Sequence, residues 1–317
     1  MKIVSCAHKK RMMVKIKYGF ILLTLMLAFT VSCKKDDEGG PPPPPPRPRG
    51  PEAAAAQEEI ETFLETHFYN YEEFETDPAN FKLRFDTIAG DNASKTPLIE
   101  QVDTIKVKDL VETNVTYTLY YLNVQQGGGE RPNFSDYTIN TYDGRLMNLD
   151  LFDSSVIPVR FNLVDTKTSA GIIRGLQQAI IKFNGAENVI SNPDGTLTFE
   201  NYGIGAVFIP SGLAYYQYPP GNGGLGAYEQ VIFSFELIDS EVADHDNDGI
   251  PSYMEDLNGN GYLLDDDTDG SVPNYLDEDD DNDGRLTKYE IEIDANGNIT
   301  FPDTDGDGTP DYLDSDS

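Results

Sequence analysis

Residues 152–180 constrain the fold most, because a strand pattern gives way to a helix pattern within about twenty residues. The strand is marked by apolar residues that alternate with other residues: Val159, Phe161 and Leu163. The helix is marked by apolar residues at helical spacing: Ile172, Ile173, Leu176 and Ile180. This order predicts a sheet that folds over one short helix. Asp153 is a lone carboxylate among residues that are predicted to face an apolar surface. It either caps a turn at the end of the strand or belongs to a functional site.

Composition excludes several classes of function. The chain of 317 residues carries a formal net charge of −32, which is the wrong sign for binding nucleic acid. Only Cys6 and Cys33 occur, so the downstream domains have no disulfide framework. The three histidines are scattered, which argues against a serine triad or a histidine zinc site.

Residues 1–33 have the pattern of a secretory signal peptide. A basic stretch precedes the apolar run 20–31, which is too short to span a membrane comfortably. Cys33 directly after Ser32 resembles the cleavage site of bacterial lipoproteins, which implies a lipid on Cys33. The resemblance predicts a bacterial cell-envelope protein that is lipid-anchored to the outer membrane, on its periplasmic face or at the cell surface. The alternative is an ordinary cleaved signal peptide.

Two further segments precede the main domain. Residues 34–51 include six consecutive prolines, which favour an extended polyproline spacer. Residues 52–110 are predicted to be an N-terminal helical extension, whose first helix has one apolar face. That face comprises Ile60, Phe63, Leu64 and Phe68.

Residues 111–240 are predicted to form the main β domain. Strand patterns occur at 115–124, 137–142, 159–163, 206–209 and 231–237. A loop rich in glycine, proline and tyrosine, 211–228, lies between the last two strands.

The order and spacing of five short motifs resemble an FKBP-type peptidyl-prolyl cis–trans isomerase. The motifs are Tyr142-x-Gly144, Phe152-Asp153-Ser154-Ser155, Ile172-Ile173-Arg174-Gly175, Pro210-Ser-Gly-Leu-Ala214-Tyr215 and Phe233-Ser-Phe-Glu-Leu237. The resemblance covers about 115–239 and implies an α+β fold with a twisted antiparallel sheet wrapped around a short helix.

The resemblance also implies a catalytic site. Apolar walls would come from Tyr142, Phe152, Phe161, Ile172, Ile173 and Phe233. The backbone N–H of Ile173 would anchor the substrate chain, the hydroxyl of Tyr215 would reach a substrate carbonyl, and Asp153 would polarise the prolyl peptide or order Tyr142. The implied substrates are proline-containing polypeptides, and no catalytic cofactor is expected.

Two departures from the family bear on activity. The 211–228 loop differs from the family's usual loop in length and composition, and it is expected to overhang the pocket. Leu176 stands where the family commonly has a tryptophan as pocket floor, and this chain contains no tryptophan. A smaller floor favours an alternative in which the domain binds proline-containing segments without useful turnover.

Residues 241–317, the acidic tail, repeat one sequence pattern. Carboxylates at positions 1, 3 and 5 precede a glycine at position 6 and a carboxylate near position 12, which is the ligand spacing of an EF-hand calcium loop. The predicted Ca²⁺ ligands are Asp244, Asp246, Asp248 and Glu255; Asp279, Asp281, Asp283 and Glu290; and Asp303, Asp305, Asp307, Asp311 and Asp314. The closely spaced loops resemble thrombospondin type 3 repeats, which implies a structural role for Ca²⁺. The alternative for the tail is a disordered acidic segment. A further alternative for the whole protein is a structural surface protein whose main functional part is the calcium-stiffened tail.

Overall fold

The computed structural model describes residues 45–76, 82–221 and 223–317, and residues Arg47–Ser317 form one compact unit. The predicted signal peptide, Cys33 and most of the predicted spacer lie outside the described residues. Within the described ranges, no helix is long and apolar enough to cross a membrane.

The elements follow the chain in this order. An N-terminal part contains helix α1 (Arg49–Thr66), strand β1 (His67–Tyr69), helix α2 (Tyr71–Thr76) and strand β2 (Phe85–Thr87). The strands and the helix that follow are β3 (Asp103–Lys108), β4 (Thr116–Gln125), β5 (Tyr137–Leu146), β6 (Leu151–Asn162), helix α3 (Arg174–Ile180), β7 (Asn188–Ser191), β8 (Leu197–Glu200), β9 (Gly203–Ile209) and β10 (Val231–Glu241). The acidic tail has short 3₁₀ turns and one small hairpin, β11 (Glu292–Ile293) with β12 (Ile299–Thr300).

Six antiparallel strands form the central sheet in the order β3-β4-β9-β10-β5-β6. Helix α3 packs on one face of the sheet, where Leu176 and Ile180 join Val207, Ile209 and Phe235 in a buried core. This arrangement confirms the predicted α+β fold with an antiparallel sheet over a short helix.

Helix α1 covers the opposite face of the sheet. Its buried residues Ile60, Phe63 and Leu64 pack against Phe208 and Ile232 of the two central strands. The helix ends at Thr66, so Phe68, predicted on its apolar face, lies in β1 instead. Because both faces of the sheet are covered, β9 is buried at every position.

The sheet begins earlier in the chain than its predicted boundary at residue 111. Strand β3 pairs with β4 in register from Asp103 opposite Tyr121 to Lys108 opposite Thr116. Only one of its six residues, Val107, is buried, so its sequence carries little apolar pattern.

Helix α3 begins later than predicted. The first helical residue is Arg174, and Ile173 is extended with φ −59° and ψ 140°. The backbone N–H of Ile172 donates to the carbonyl of Asn162 at 3.0 Å, which holds this residue against β6. Ile172 and Ile173 therefore lie before the helix, at its junction with the sheet.

A buried ion pair joins the start of α1 to the main domain. Arg49 donates to Asp109 at 2.8 Å and to the carbonyl of Gly212 at 3.2 Å. Asp109 also accepts hydrogen bonds from the Tyr117 hydroxyl and from the backbone of Val111 and Glu112. Burial acts to raise the pKa of Asp109, but these hydrogen bonds outweigh it and hold the pKa below its ordinary value.

Replacing Arg49 with methionine is expected to destabilise the protein by about 1–3 kcal/mol, because Asp109 stays buried and loses a charged partner. The lowered pKa of Asp109 means that its contribution is present above the unfolded pKa of about 3.9 and is lost as pH falls through the folded value. Urea unfolding of wild type and R49M between pH 3 and 7 should show a smaller acid loss in R49M. R47M is the matched control, because Arg47 pairs with Glu52 at the surface and such pairs contribute about 0–1 kcal/mol. Equal stabilities of R49M and R47M would contradict this expectation.

Candidate functional site

The predicted site residues converge where strands β5, β6 and β10 meet. Gly144 on β5 lies opposite Asp153 on β6 and opposite Phe233 on β10. On the neighbouring strands, Gly144 pairs with Asp153 and Arg145 pairs with Leu151. Phe152 therefore has no partner on β5 and is the extra residue of a β-bulge. A bulge re-aims a side chain. Here the Phe152 ring packs on Phe233 while Asp153 accepts a hydrogen bond from the Tyr142 hydroxyl at 2.9 Å.

Five aromatic rings form a connected wall, the aromatic pocket. Its centroid distances are 5.2 Å for Tyr142–Phe161, 6.0 Å for Tyr142–Phe233, 5.6 Å for Phe152–Phe233 and 6.5 Å for Phe152–Tyr215. The contact between Phe152 and Phe233 is edge-to-face, an arrangement favoured by the charge distribution of the rings. Gly144 makes this packing possible, because a Cβ there would lie 2.9 Å from the tip of the Phe152 ring.

The apolar residues predicted for the site differ in burial. Leu176 and Phe233 are 2% and 3% exposed. The other apolar residues predicted for the site are half-buried and pack against the same core: Tyr142, Phe152, Phe161, Ile172, Ile173 and Tyr215. A half-buried apolar surface can remove water from a bound ligand.

The residues of these walls also carry hydrogen-bond donors: the backbone N–H of Ile173 and the hydroxyls of Tyr142 and Tyr215. Among the described residues, the backbone N–H of Ile173 and the hydroxyl of Tyr215 make no hydrogen bond within the protein, and the Tyr215 residue is only half-buried. Burial and then the charge of Asp153 raise the pKa of Tyr215. Burial and the hydrogen bond to Asp153 raise the pKa of Tyr142 to about 12. Both phenols are therefore protonated donors at neutral pH.

The loop 211–228 lies against this site. Gly223, with φ +89°, comes so close to Phe152 that a Cβ would lie 2.5 Å from the Phe152 carbonyl oxygen. At the base of the loop, Tyr216 packs edge-to-face on Tyr228 at 4.9 Å. The Arg49 guanidinium lies 4.3 Å from the centre of the Tyr216 ring, so the start of α1 supports this loop.

Sequence reasoning missed an exposed apolar rim on β6. Tyr142 pairs with Ser155, and Asn140 pairs with Val159. Residues 156–158 therefore form a second bulge on β6. Val156 and Ile157 are 73% and 68% exposed. Pro158 was the available signal, because proline within a strand marks a bulge or an edge.

The acidic tail forms repeated loops around its carboxylates. Potential ligand oxygens lie within 4.8 Å of one another in four groups: Asp244/Asp246/Asp248, Asp248/Glu255/Asp280, Asp279/Asp281/Asp283 and Asp303/Asp305/Asp307. The glycines at position 6 of the three full copies, Gly249, Gly284 and Gly308, have φ of 101°, 97° and 104°. The same left-handed turn therefore recurs in each copy, as the predicted spacing requires.

Several of these carboxylates are buried without any hydrogen-bond partner for one or both oxygens. Within the described residues this is true of both oxygens of Glu255, Asp280 and Glu290, whose exposed fractions are 1%, 1% and 3%. Burial and neighbouring carboxylates raise the pKa of Glu255 to about 11 and that of Asp280 to about 9. Buried carboxylates of this kind need a cation or a proton.

The structure adds one residue to the predicted ligands and leaves three outside the groups. Asp280 was missed because it does not fall at position 1, 3 or 5 of the calcium-loop pattern. The only signal for it in the sequence was its place in the run of consecutive acidic residues 277–281. Glu290 is buried but lies 3.9 Å from Arg285. Asp311 accepts from the backbone of Thr304, and neither it nor Asp314 belongs to a group of three ligand oxygens among the described residues.

Comparisons with known proteins divide between the two parts of the chain. A family model described as BamM C-terminal matches residues 245–302, within the acidic tail. That description does not name a calcium repeat, so the likeness to thrombospondin type 3 repeats stays an expectation. A search of curated proteins found no significant match.

Several solved structures resemble the chain at low identity. The peptidyl-prolyl cis–trans isomerase of Pseudomonas syringae pv. tomato is 18% identical, with a TM-score of 0.33 over 62% of this chain and 99% of that chain. FkpA from Escherichia coli is 18% identical, with a TM-score of 0.33 over 74% of this chain and 82% of that chain. Wheat FKBP73 is 17% identical, with a TM-score of 0.31 over 44% of this chain and 51% of that chain. Likeness at this level carries no argument about activity, which must come from the site itself.

Proposed function

We propose that this protein is an FKBP-type peptidyl-prolyl cis–trans isomerase of the bacterial cell envelope, acting on proline-containing segments of exported proteins. One observation carries the proposal. The aromatic pocket places unpartnered donors, the Ile173 N–H and the Tyr215 hydroxyl, beside an accessible apolar wall.

Rotation about a peptide bond has a barrier of about 18–20 kcal/mol, because resonance stiffens the C–N bond. The twisted transition state loses that resonance and is less polar than the planar amide. A pocket that binds the prolyl ring among Tyr142, Phe152 and Phe233 would remove water from the amide and favour the twisted state. The Ile173 N–H would hold the substrate chain, while the Tyr215 hydroxyl would donate to a substrate carbonyl. Asp153 would orient Tyr142 through the hydrogen bond between them.

The second candidate function is a binding module without useful turnover, and Leu176 is the observation that favours it. Its side chain is buried in the core against which the pocket residues pack, and it offers less apolar surface than the large aromatic residue common in the family. The two candidates differ in rate enhancement, not in affinity for proline-containing peptides.

The isomerase proposal predicts specific losses on mutation. We expect Tyr215→Phe to lower kcat/KM for Xaa-Pro peptides by about 2- to 10-fold, since one hydrogen bond contributes about 0.5–1.5 kcal/mol. Asp153→Ala should cost about tenfold, because it frees the Tyr142 hydroxyl. Cis-to-trans rates measured by NMR exchange would test both values.

Tyr218→Phe is the matched control, because Tyr218 lies in the same loop with 78% of its surface exposed. It should leave the rate unchanged. A folded wild-type protein that binds the peptides but does not exceed the uncatalysed rate would replace the isomerase with the binding module.

For the acidic tail we propose structural Ca²⁺ sites. The support is the combination of ligand oxygens within 4.8 Å and buried carboxylates that lack partners, and oxygen donors of this type suit a hard divalent cation. Asp280 would join the first full loop, 244–255, to the second, 279–290, because it groups with Asp248 and Glu255. The cation would serve the fold of the tail and take no part in isomerisation.

We also propose a lipid on Cys33, which would attach the protein to the outer membrane. This rests on the sequence pattern of residues 20–33. The proline-rich spacer would then separate the isomerase from the bilayer.

A further inference from the structure

A short loop of residues 163–171, here called the anchor loop, leads from β6 to the residues that would hold the substrate chain. At its base, the backbone N–H of Ile172 donates to the carbonyl of Asn162, the last residue of β6, at 3.0 Å. Ile173 follows in an extended conformation, and its own N–H makes no hydrogen bond within the described residues. The position of that N–H therefore depends on what holds Asn162 and the anchor loop.

The side chain of Asn162 binds the acidic tail. Its Oδ1 accepts the backbone N–H of Val164 at 3.2 Å, which identifies this atom as the oxygen of the amide. His245 Nε2 lies 3.2 Å from the same oxygen and therefore carries the proton of this hydrogen bond. The other ring nitrogen, Nδ1, lies 2.8 Å from the Ser252 hydroxyl, which donates to it. Asn162 thus binds the tail through its side chain and Ile172 through its main chain.

A second contact of the tail holds the anchor loop itself. The Tyr275 hydroxyl donates to the carbonyl of Asp165 at 2.9 Å. The carboxylate of Asp165 accepts the backbone N–H of Gly171 at 2.8 Å, which joins the two ends of the loop. The His245 ring lies between Tyr275, at 5.7 Å, and Tyr137 of β5, at 5.2 Å, measured between ring centres. These two rings fix the imidazole against the main domain.

His245 belongs to the first full calcium loop, 244–255. It stands between the predicted ligands Asp244 and Asp246, whose carboxylate oxygens lie within 4.8 Å of each other. Ser252, which orients the imidazole, lies in the same loop and is fully buried. The folded loop therefore presents the imidazole to the main domain, although His245 is not itself a predicted ligand.

We propose that Asn162 and the acidic tail position the N–H of Ile173 that would hold the substrate. Asn162 is a positioning residue, because it acts through Ile172 and touches no substrate atom. His245 and Tyr275 keep the side chain of Asn162 and the anchor loop in place. The inference rests on the proposed function, because the position of this N–H matters only if a substrate chain binds there.

The contacts act on the group that would hold the substrate chain, and not on the bond that rotates. Their loss should therefore raise KM and leave kcat unchanged, which is the pattern of an interaction made equally in the ground state and the transition state. One hydrogen bond changes an equilibrium about 2- to 10-fold. Because these bonds act indirectly, we expect an effect near the lower end, about threefold.

The test compares full-length variants on one Xaa-Pro peptide in the presence of calcium. Asn162→Ala removes the acceptor oxygen, His245→Phe keeps the ring but removes the donor, and Tyr275→Phe removes only the hydroxyl. Each should raise KM about threefold with kcat unchanged. Asn162→Asp keeps an acceptor oxygen and should restore the wild-type KM. Tyr289→Phe is the matched control, because Tyr289 lies in the tail with 63% of its surface exposed, and it should change neither constant.

Hydrogen exchange provides a second measurement, which separates positioning from a general loss of stability. The amide of Ile172, which donates to the carbonyl of Asn162, should exchange about threefold faster in N162A and Y275F. The amide of Phe208, on the fully buried strand β9, should exchange at the wild-type rate in both variants. An equal increase at both amides would mean that the substitutions loosen the whole domain, which overturns the positioning role.

The kinetic outcomes are equally distinct. Wild-type KM in N162A, or a KM in N162D as high as that in N162A, overturns the proposal. A fall in kcat at unchanged KM also overturns it, because the contact would then act on the transition state. If the wild-type protein does not catalyse the peptide, the proposed function fails. Calorimetric affinities of the same peptide then decide the positioning role, which requires affinity to fall about threefold in N162A and to recover in N162D.

Discussion

Removal of calcium is expected to unfold residues 244–317 while the central sheet stays folded. This segment contains 24 acidic residues against Arg285 and Lys288, a net charge of −22. Without a cation, the buried carboxylates of Glu255 and Asp280 would face one another and neighbouring aspartates across a poorly hydrated interior. Keeping these carboxyl groups buried without a cation requires either burying unpaired charges or, since their pKa values are raised to about 11 and about 9, protonating them, and either requirement destabilises the folded tail. Self-repulsion should then extend the segment.

Limited proteolysis and small-angle scattering with and without a chelator would measure this change. We expect rapid cleavage within 244–317 and a larger radius of gyration in the chelated protein. Restored calcium at about 10⁻⁴–10⁻³ M, the range of extracellular modules, should reverse both effects. Magnesium at the same concentration should do so poorly, because it demands a more regular shell of ligands.

Substitution within the tail sharpens this test. Glu255→Gln removes a charge whose oxygens have no partner in the described residues, and we expect calcium affinity at that site to fall at least about tenfold. Glu278→Gln removes the same charge from an exposed position of the same segment and should change affinity little. Identical cleavage and scattering with chelator and with calcium would show that the tail has no calcium-dependent fold.

Phe208→Ala is expected to destabilise the protein by about 3–5 kcal/mol, the usual cost of removing a fully buried phenylalanine. The Phe208 ring lies 5.8 Å from that of Phe63 on α1 and 5.7 Å from that of Phe85 on β2. The substitution therefore opens a cavity between the sheet and the N-terminal part, which chemical unfolding monitored by circular dichroism would measure.

Tyr218→Ala is the control for Phe208→Ala, since it removes an aromatic ring that is 78% exposed. We expect its effect to lie within about 0.5 kcal/mol. If Phe208→Ala were equally harmless, α1 could not be packed on the sheet. Hydrogen exchange in α1 would provide a second measurement, because loss of the contact should increase exchange there first.

The sequence by itself determined the elements whose periodicity is strong. Alternation in β6 and helical spacing around Leu176 predicted a sheet over a short helix, because burial of one face imposes a period of 2 or about 3.6. The calcium-loop spacing likewise predicted the turn at Gly249 and its equivalents, since only glycine adopts that φ without strain.

The tertiary structure alone decided the features that depend on contacts between distant residues. The pairing of β3, the ends of α1 and α3, and the bulge at Phe152 have weak local signals, because each depends on what the neighbouring strand offers. Burial of Asp280 beside Glu255 depends on residues 25 positions apart. The hydrogen bond from the Tyr275 hydroxyl to the carbonyl of Asp165 joins residues 110 positions apart and exists only because the tail packs against the main domain. Local periodicity records which face of an element is buried, but it holds no record of which other element covers that face.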